Sequence, residues 1–119
     1  VVIERFNARY ITNKAVPDPI NFICCDTSFI GLRTVLPAPM KLAKAGARLV
    51  ALIKPQFEVA RGQVGKKGVV TDPEIHNEVC KRVSDWISGL NNWQVIGIEK
   101  SPITGPEGNI EFLIAAFHN

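Results

Sequence analysis

Three charged side chains in this 119-residue chain stand where apolar runs meet loops. Asp26 follows FICC, Lys54 follows LVALI, and Glu111 lies between Ile110 and Phe112 near the start of IEFLIAAF. A lysine flanked by two carboxylates is a charged group held in position. Singly, each of the three reads as readily as a solvated strand end. Only the fold could make a site of them. In open α/β sheets, ligands sit beyond the carboxyl ends of parallel strands. Asp26 and Lys54 share that edge if their strands are parallel neighbours, which the helical segment between them permits. Glu111 begins its strand, so it reaches the same edge only if that strand runs antiparallel. With that strand on the far side of the Lys54 strand, the order becomes acid, lysine, acid across neighbours about 4.8 Å apart. Spacing alone does not force this order.

The elements that must position these residues alternate between short apolar runs and helical patterns, which argues an α/β fold. Val1–Glu4 reads as a strand fragment, Phe22–Cys25 as a short buried strand and Leu49–Ile53 as the clearest strand. Gln94–Ile98 and Ile110–Phe117 close the chain as strands, joined by the turn-rich SPITGPEGN. Leu32, Val35, Leu36, Met40 and Ala43 keep helical spacing, but Pro37 and Pro39 interrupt it. A broken helix with Gly46 as its stop is expected there. The best helix starts at Asp72 as cap with Pro73 in the first turn, and Ile75, Val79, Val83, Trp86, Ile87 and Leu90 form its apolar face. His76 falls one position off that stripe and reads as a surface or edge histidine. Gln56–Val70, punctuated by Gly62, Gly65 and Gly68, predicts a long mobile loop of the lid or binding type. Gly65-Lys66 within it has neither the spacing nor the following Ser or Thr of a phosphate-binding P-loop.

With 46% hydrophobic and 21% charged residues, the chain has the composition of one ordinary globular domain. Lys54, Arg61, Lys66 and Lys67 face the single acid Glu58 within residues 54–67, which concentrates the whole formal charge of +3 there. Such a segment suits contact with a phosphate backbone, and a solvated loop explains its charge equally well. Cys24, Cys25 and Cys80 lack metal-ligand spacing, so no metal is expected. They read as buried reduced thiols of a reducing cytoplasm, with Cys24 and Cys25 on opposite faces of their strand. The longest apolar run, Phe112–Phe117, is far too short to cross a bilayer, and no basic-then-apolar leader opens the chain. The best helix carries a mixed polar face of Glu74, Glu78, Lys81, Arg82 and Asp85 in place of the Lys/Arg-rich face of a membrane-surface helix. No membrane partner is expected.

Nearly the whole chain resembles the C-terminal part of the haemolysin-A-like ribosomal RNA methyltransferases with an FtsJ-like catalytic domain. IERFNARYIT, DTSFIGLRTVLPA, VALIKPQFE, GVVTDPEIH and SPITGPEGNIEFL carry the likeness, in the family's order. The resemblance implies a truncated Rossmann-like sheet, mostly parallel, with an antiparallel last strand inserted beside the Lys54 strand. It implies methyl transfer from S-adenosylmethionine to a ribose 2′-hydroxyl of ribosomal RNA. Of the family's Lys-Asp-Lys-Glu set, the Asp falls on Asp26, the second Lys on Lys54 and the Glu on Glu111. Asp26 is also expected at the cofactor, and Arg61, Lys66 and Lys67 at the RNA.

The first Lys, the Gly-rich donor-binding loop and the amino-terminal S4-like domain of the family have no counterpart in residues 1–119. Most of the donor's contacts would belong to that missing part. Two family strands lie between the Val1–Glu4 and Phe22–Cys25 strands, so their loss would expose a sheet edge. Val1–Glu4 could fill that gap, another chain could cover it, or further residues could belong to the protein. Lys54 is the candidate base, with Asp26 and Glu111 orienting it. The rival readings are a non-catalytic RNA-binding module, an inactive fragment of the enzyme, and a membrane-lysing protein, for which no liposome leakage is expected.

Overall fold

The computed structural model describes residues 20–26, 31–59, 64–65, 68–105 and 108–119. Within them the elements run β1 (Ile20–Cys25), α1 (Leu32–Val35), α2 (Pro37–Lys41), β2 (Ala43–Ile53), α3 (Pro55–Glu58), α4 (Pro73–Ser88), β3 (Trp93–Lys100) and β4 (Phe112–His118). The four strands form one sheet in the order β1-β2-β4-β3, giving a mixed α/β fold. The Val1–Glu4 strand reading, the stretch IERFNARYIT and the three basic residues Arg61, Lys66 and Lys67 lie outside the described residues.

The sheet departs from the mostly parallel expectation. β1 and β2 pair in parallel, whereas β4 is antiparallel to both β2 and β3. β1, β2 and β3 run the same way, but β4 is inserted between two of them and turns both of its own ladders antiparallel. A single inserted strand thus leaves one parallel pair among the described residues. β1 has no described strand on its outer side.

Alternation along β2 fixes which face is the core. Ala47, Leu49, Ala51 and Ile53 are buried, and the residues between them are half-buried or exposed. Their ladder partners Ile23 and Cys25 on β1, and Ala116 and Ile114 on β4, are buried on the same face. α4 covers that face with Val79, Val83 and Ile87, each 0–1% exposed. Burial of each such side chain stabilises the fold by about 1.5–3 kcal/mol, so the stripe at i, i+4 and i+8 is what docks this helix. Its start is set by Asp72, whose Oδ1 accepts from Glu74 N–H at 2.9 Å, and Pro73 follows at a position where no backbone donor is needed. Leu32, Val35, Leu36 and Met40 of the α1–α2 segment complete the cluster. On the opposite face Cys24 and Phe22 are exposed, the latter by 56%.

Several boundaries move for identifiable reasons. The break between α1 and α2 falls at Leu36, directly before Pro37, as the proline pattern requires. Gly46 does not stop a helix: it sits inside β2 at φ +87°, and Ala43 already pairs with Ile20. Between Ile20 and Phe22 the β1 register jumps from Ala43 to Arg48 on β2, so the extra residues bulge out around this left-handed glycine. Gln56 to Glu58 form a helical turn, so the predicted loop begins later. Its carboxyl end is tied down, with Val70 only 2% exposed. His76 is 5% exposed, not a surface histidine, because the chain after Gly68 folds back over it and Val70 C=O accepts from His76 Nε2 at 2.8 Å. Cys24 and Cys25 do face opposite ways, but Cys24 is exposed, not buried. Burial on α4 pushes the Cys80 thiol up to about 11, which keeps it protonated.

Candidate active site

Asp26 leaves the carboxyl end of β1 and Lys54 leaves the carboxyl end of β2, its parallel neighbour. The last β2–β4 pair is Ile53 with Phe112, so Lys54 and Glu111 are the next residues outward on the two strands. Strand order therefore sets Asp26, Lys54 and Glu111 side by side along one rim, acid, lysine, acid. Lys54 Nζ lies 2.5 Å from Asp26 Oδ1. The lysine side chain is 11% exposed and the aspartate 63%, so a largely desolvated lysine Nζ faces an open carboxylate. Glu111 is 6% exposed.

The run KPQFE explains how a buried strand can end in a charge. Lys54 is still extended (φ −112°, ψ 97°), Pro55 then starts α3, and Phe57 N–H donates to Lys54 C=O at 2.9 Å. This single turn binds three segments at once. Lys54 pairs with Asp26. Gln56 Nε2 donates to Glu111 Oε2 at 3.2 Å. Glu58 Oε2 accepts from Leu32 N–H at 2.9 Å, which anchors the start of α1. Burial raises the Glu58 carboxyl above its ordinary value, against the lowering effects of the Leu32 hydrogen bond, Arg82 and Arg33. A Cβ on Gly31 would come within 2.9 Å of Glu58 Oε1, so the glycine allows the close approach.

Gln56 and Glu58 were not singled out by the sequence reading, which assigned Gln56 to a loop and counted Glu58 only as a charge. Their signal was weak: a Pro directly after a strand-ending lysine, followed by polar residues at one-turn spacing.

Glu111 is enclosed from the other side. Ser101 N–H donates to its carbonyl at 2.8 Å, and a Cβ on Gly105 would overlap its Oε2. Between them Asn109, 3% exposed, joins two loops: its Oδ1 accepts from Val70 N–H at 3.0 Å and its Nδ2 donates to Gly68 C=O at 2.9 Å. The two loops share a backbone pattern. Gly65 N–H donates to Val69 C=O and Gly105 N–H to Asn109 C=O, both at 2.8 Å, and Gly68 and Gly108 both take positive φ. Asn109 thus attaches the described end of the basic segment to the loop that delivers Glu111. Among the described residues no group of three or more His, Cys, Asp or Glu side chains could hold a metal ion. None of their helices is long and apolar enough to cross a membrane.

The profile of the FtsJ-like methyltransferase family matches residues 1–117. The chain is 43% identical, over 96% of its length and 42% of the relative's, to the 16S/23S rRNA (cytidine-2′-O)-methyltransferase TlyA of Mycobacterium tuberculosis. It is 46% identical, over 96% of its length and 41% of the relative's, to YqxC of Bacillus subtilis, labelled an rRNA methyltransferase. A hemolysin-labelled crystal structure from Lactococcus lactis superposes with a TM-score of 0.92 at 36% identity, covering 100% of this chain and 57% of that one. The chain therefore spans about two-fifths of the length of the curated relatives it matches. A match across almost every residue, joined to this level of identity, means that the chain belongs to the FtsJ-like methyltransferase family.

Proposed function

We propose that residues 1–119 are the C-terminal part of a Rossmann-like methyltransferase domain that transfers a methyl group from S-adenosylmethionine to a ribose 2′-hydroxyl of ribosomal RNA. The observation that carries the reading is the rim itself: a largely buried lysine bonded to one acid and next in line to a second, at the sheet edge where α/β folds bind ligands. The named activity of the TlyA relative supplies the substrate class. A cytoplasmic location follows from that substrate.

A 2′-hydroxyl is a weak nucleophile while it keeps its proton. Lys54 Nζ, in its neutral amine form, is the base that receives it, a contribution of roughly 10²–10⁴-fold. Asp26 and Glu111 stabilise the positive charge that grows on Lys54 as the proton arrives, and they hold Nζ where it is useful. The exposed carboxylate of Asp26 also fits the polar groups of the methyl donor. S-Adenosylmethionine, when bound, supplies an electrophilic methyl on a cationic sulfur. Transfer of that methyl would form an oxygen–carbon bond at the expense of the sulfur–carbon bond, and the positive charge lost from sulfur would be matched by the one gained on Lys54. Lys66, Lys67 and Arg61 serve the RNA phosphates.

Full-length protein incubated with ribosomal subunits and the methyl donor should place a methyl on a ribose, and Asp26→Ala should abolish it. Undiminished methylation by Asp26→Ala would remove that residue from the site, and absence of methylation by the wild type would leave an RNA-binding module. Lys66→Ala together with Lys67→Ala should weaken RNA binding and flatten its dependence on salt; an unchanged slope would return that segment to a solvated loop. Calorimetric titration of S-adenosylmethionine into the full-length protein, then into this chain, tests where the donor is held.

A further inference from the structure

We propose that Gln56 belongs to the site as the group that accepts a hydrogen bond from the substrate's 2′-hydroxyl. The inference rests on the ribose-methylating reading above and names a residue that recognises the ribose. Gln56 Nε2 donates to Glu111 Oε2, and that bond fixes which way the carboxamide points, since a flipped amide would set its oxygen against a carboxylate oxygen. The carboxamide oxygen, Oε1, is then turned away from Glu111, shielded from solvent and without a hydrogen-bond partner. Buried polar atoms are almost always paired. An acceptor left unpaired two residues after Lys54, on a turn held at Lys54, Gln56 and Glu58, is placed for a donor that arrives with the ligand.

Chemistry narrows the donor. Carboxylates and phosphates offer no proton to an amide oxygen at neutral pH, whereas a sugar hydroxyl does. Within an RNA strand the 3′ and 5′ oxygens are esterified, which leaves the 2′-hydroxyl as the sugar's hydrogen-bond donor. Gln56 Oε1 therefore engages the hydroxyl in the bound ground state. Lys54 takes its proton as the methyl transfers, and the other end of the same carboxamide steadies Glu111. A DNA strand, or an RNA with deoxyribose at the target, leaves Oε1 unpaired and is disfavoured.

The test compares two RNA oligonucleotides carrying the mapped target site, one all-ribose and one with a single 2′-deoxyribose at the target, bound to full-length protein. Wild type should prefer the all-ribose strand roughly fivefold, the size of one hydrogen bond. Gln56→Met should bind the two strands alike. A wild-type preference surviving in Gln56→Met would overturn the role of Gln56 and leave the methyltransferase reading standing. No preference in the wild type would also overturn the inference, and product mapping of the wild type separately reports whether a ribose is methylated.

Discussion

Lys54–Asp26 and Lys81–Asp85 are the same chemical pair at nearly the same separation, 2.5 and 2.7 Å, in two regions that use it differently. The second lies one turn apart on the outer face of α4, with side chains 77% and 65% exposed. Its hydrogen bond to Asp85 raises the Lys81 pKa, yet water can replace either partner, and exposed pairs of this kind contribute little. At the sheet rim the lysine is 11% exposed, its carbonyl is capped by Phe57 N–H, and the turn that follows is bonded to Leu32 at the start of α1 and to Glu111 just before β4. Separation does not distinguish the two pairs. Burial and the number of segments that converge on the lysine do.

That contrast can be broken by mutation. Lys54→Ala in the full-length protein should lower methyl transfer by roughly 10²–10⁴-fold, read as initial rate at saturating RNA. Next in size, Asn109→Ala should leave Val70 N–H and Gly68 C=O unpaired, at about 1–3 kcal/mol for each group left buried. A fall in the urea midpoint at unchanged slope would register it.

A smaller effect concerns Glu58. Its folded carboxyl titrates above the ordinary value of 4.5, so over that window the folded state holds the proton more tightly than the unfolded one. Stability should therefore decline as pH rises from about the ordinary value through the raised one. Glu58→Gln keeps an acceptor for Leu32 N–H and should remove this decline, as urea titrations across the window would show. Smallest of all, Lys81→Ala should leave both methyl-transfer rate and melting temperature unchanged. A rim-sized loss there would contradict the distinction between the two pairs.

Much of the rim was legible because strand ends announce themselves. LVALI and FICC are apolar runs that stop at a charge, and an antiparallel last strand puts Glu111 at the edge reached by Asp26 and Lys54. The resemblance to the family supplied the strand order that spacing left open. The first half of β2 was hidden, since AKAGAR has no β-branched residue and its glycine mimics a helix stop. His76 was misplaced because helical periodicity describes what a helix presents to the sheet and is silent about a loop returning over its first turn. Gln56 and Glu58 escaped for a related reason: their partners Glu111 and Leu32 are 55 and 26 residues away, and no local pattern encodes such contacts.

The central claim is that Lys54 takes a proton from the substrate hydroxyl while its flanking acids hold it. Lys54→Arg, measured in the full-length protein by single-turnover methyl transfer alongside RNA binding, addresses it most directly, because arginine keeps the charge and cannot release a proton at usable pH. Methyl transfer should be lost while RNA affinity persists. Near-normal single-turnover rates in that variant would contradict the account.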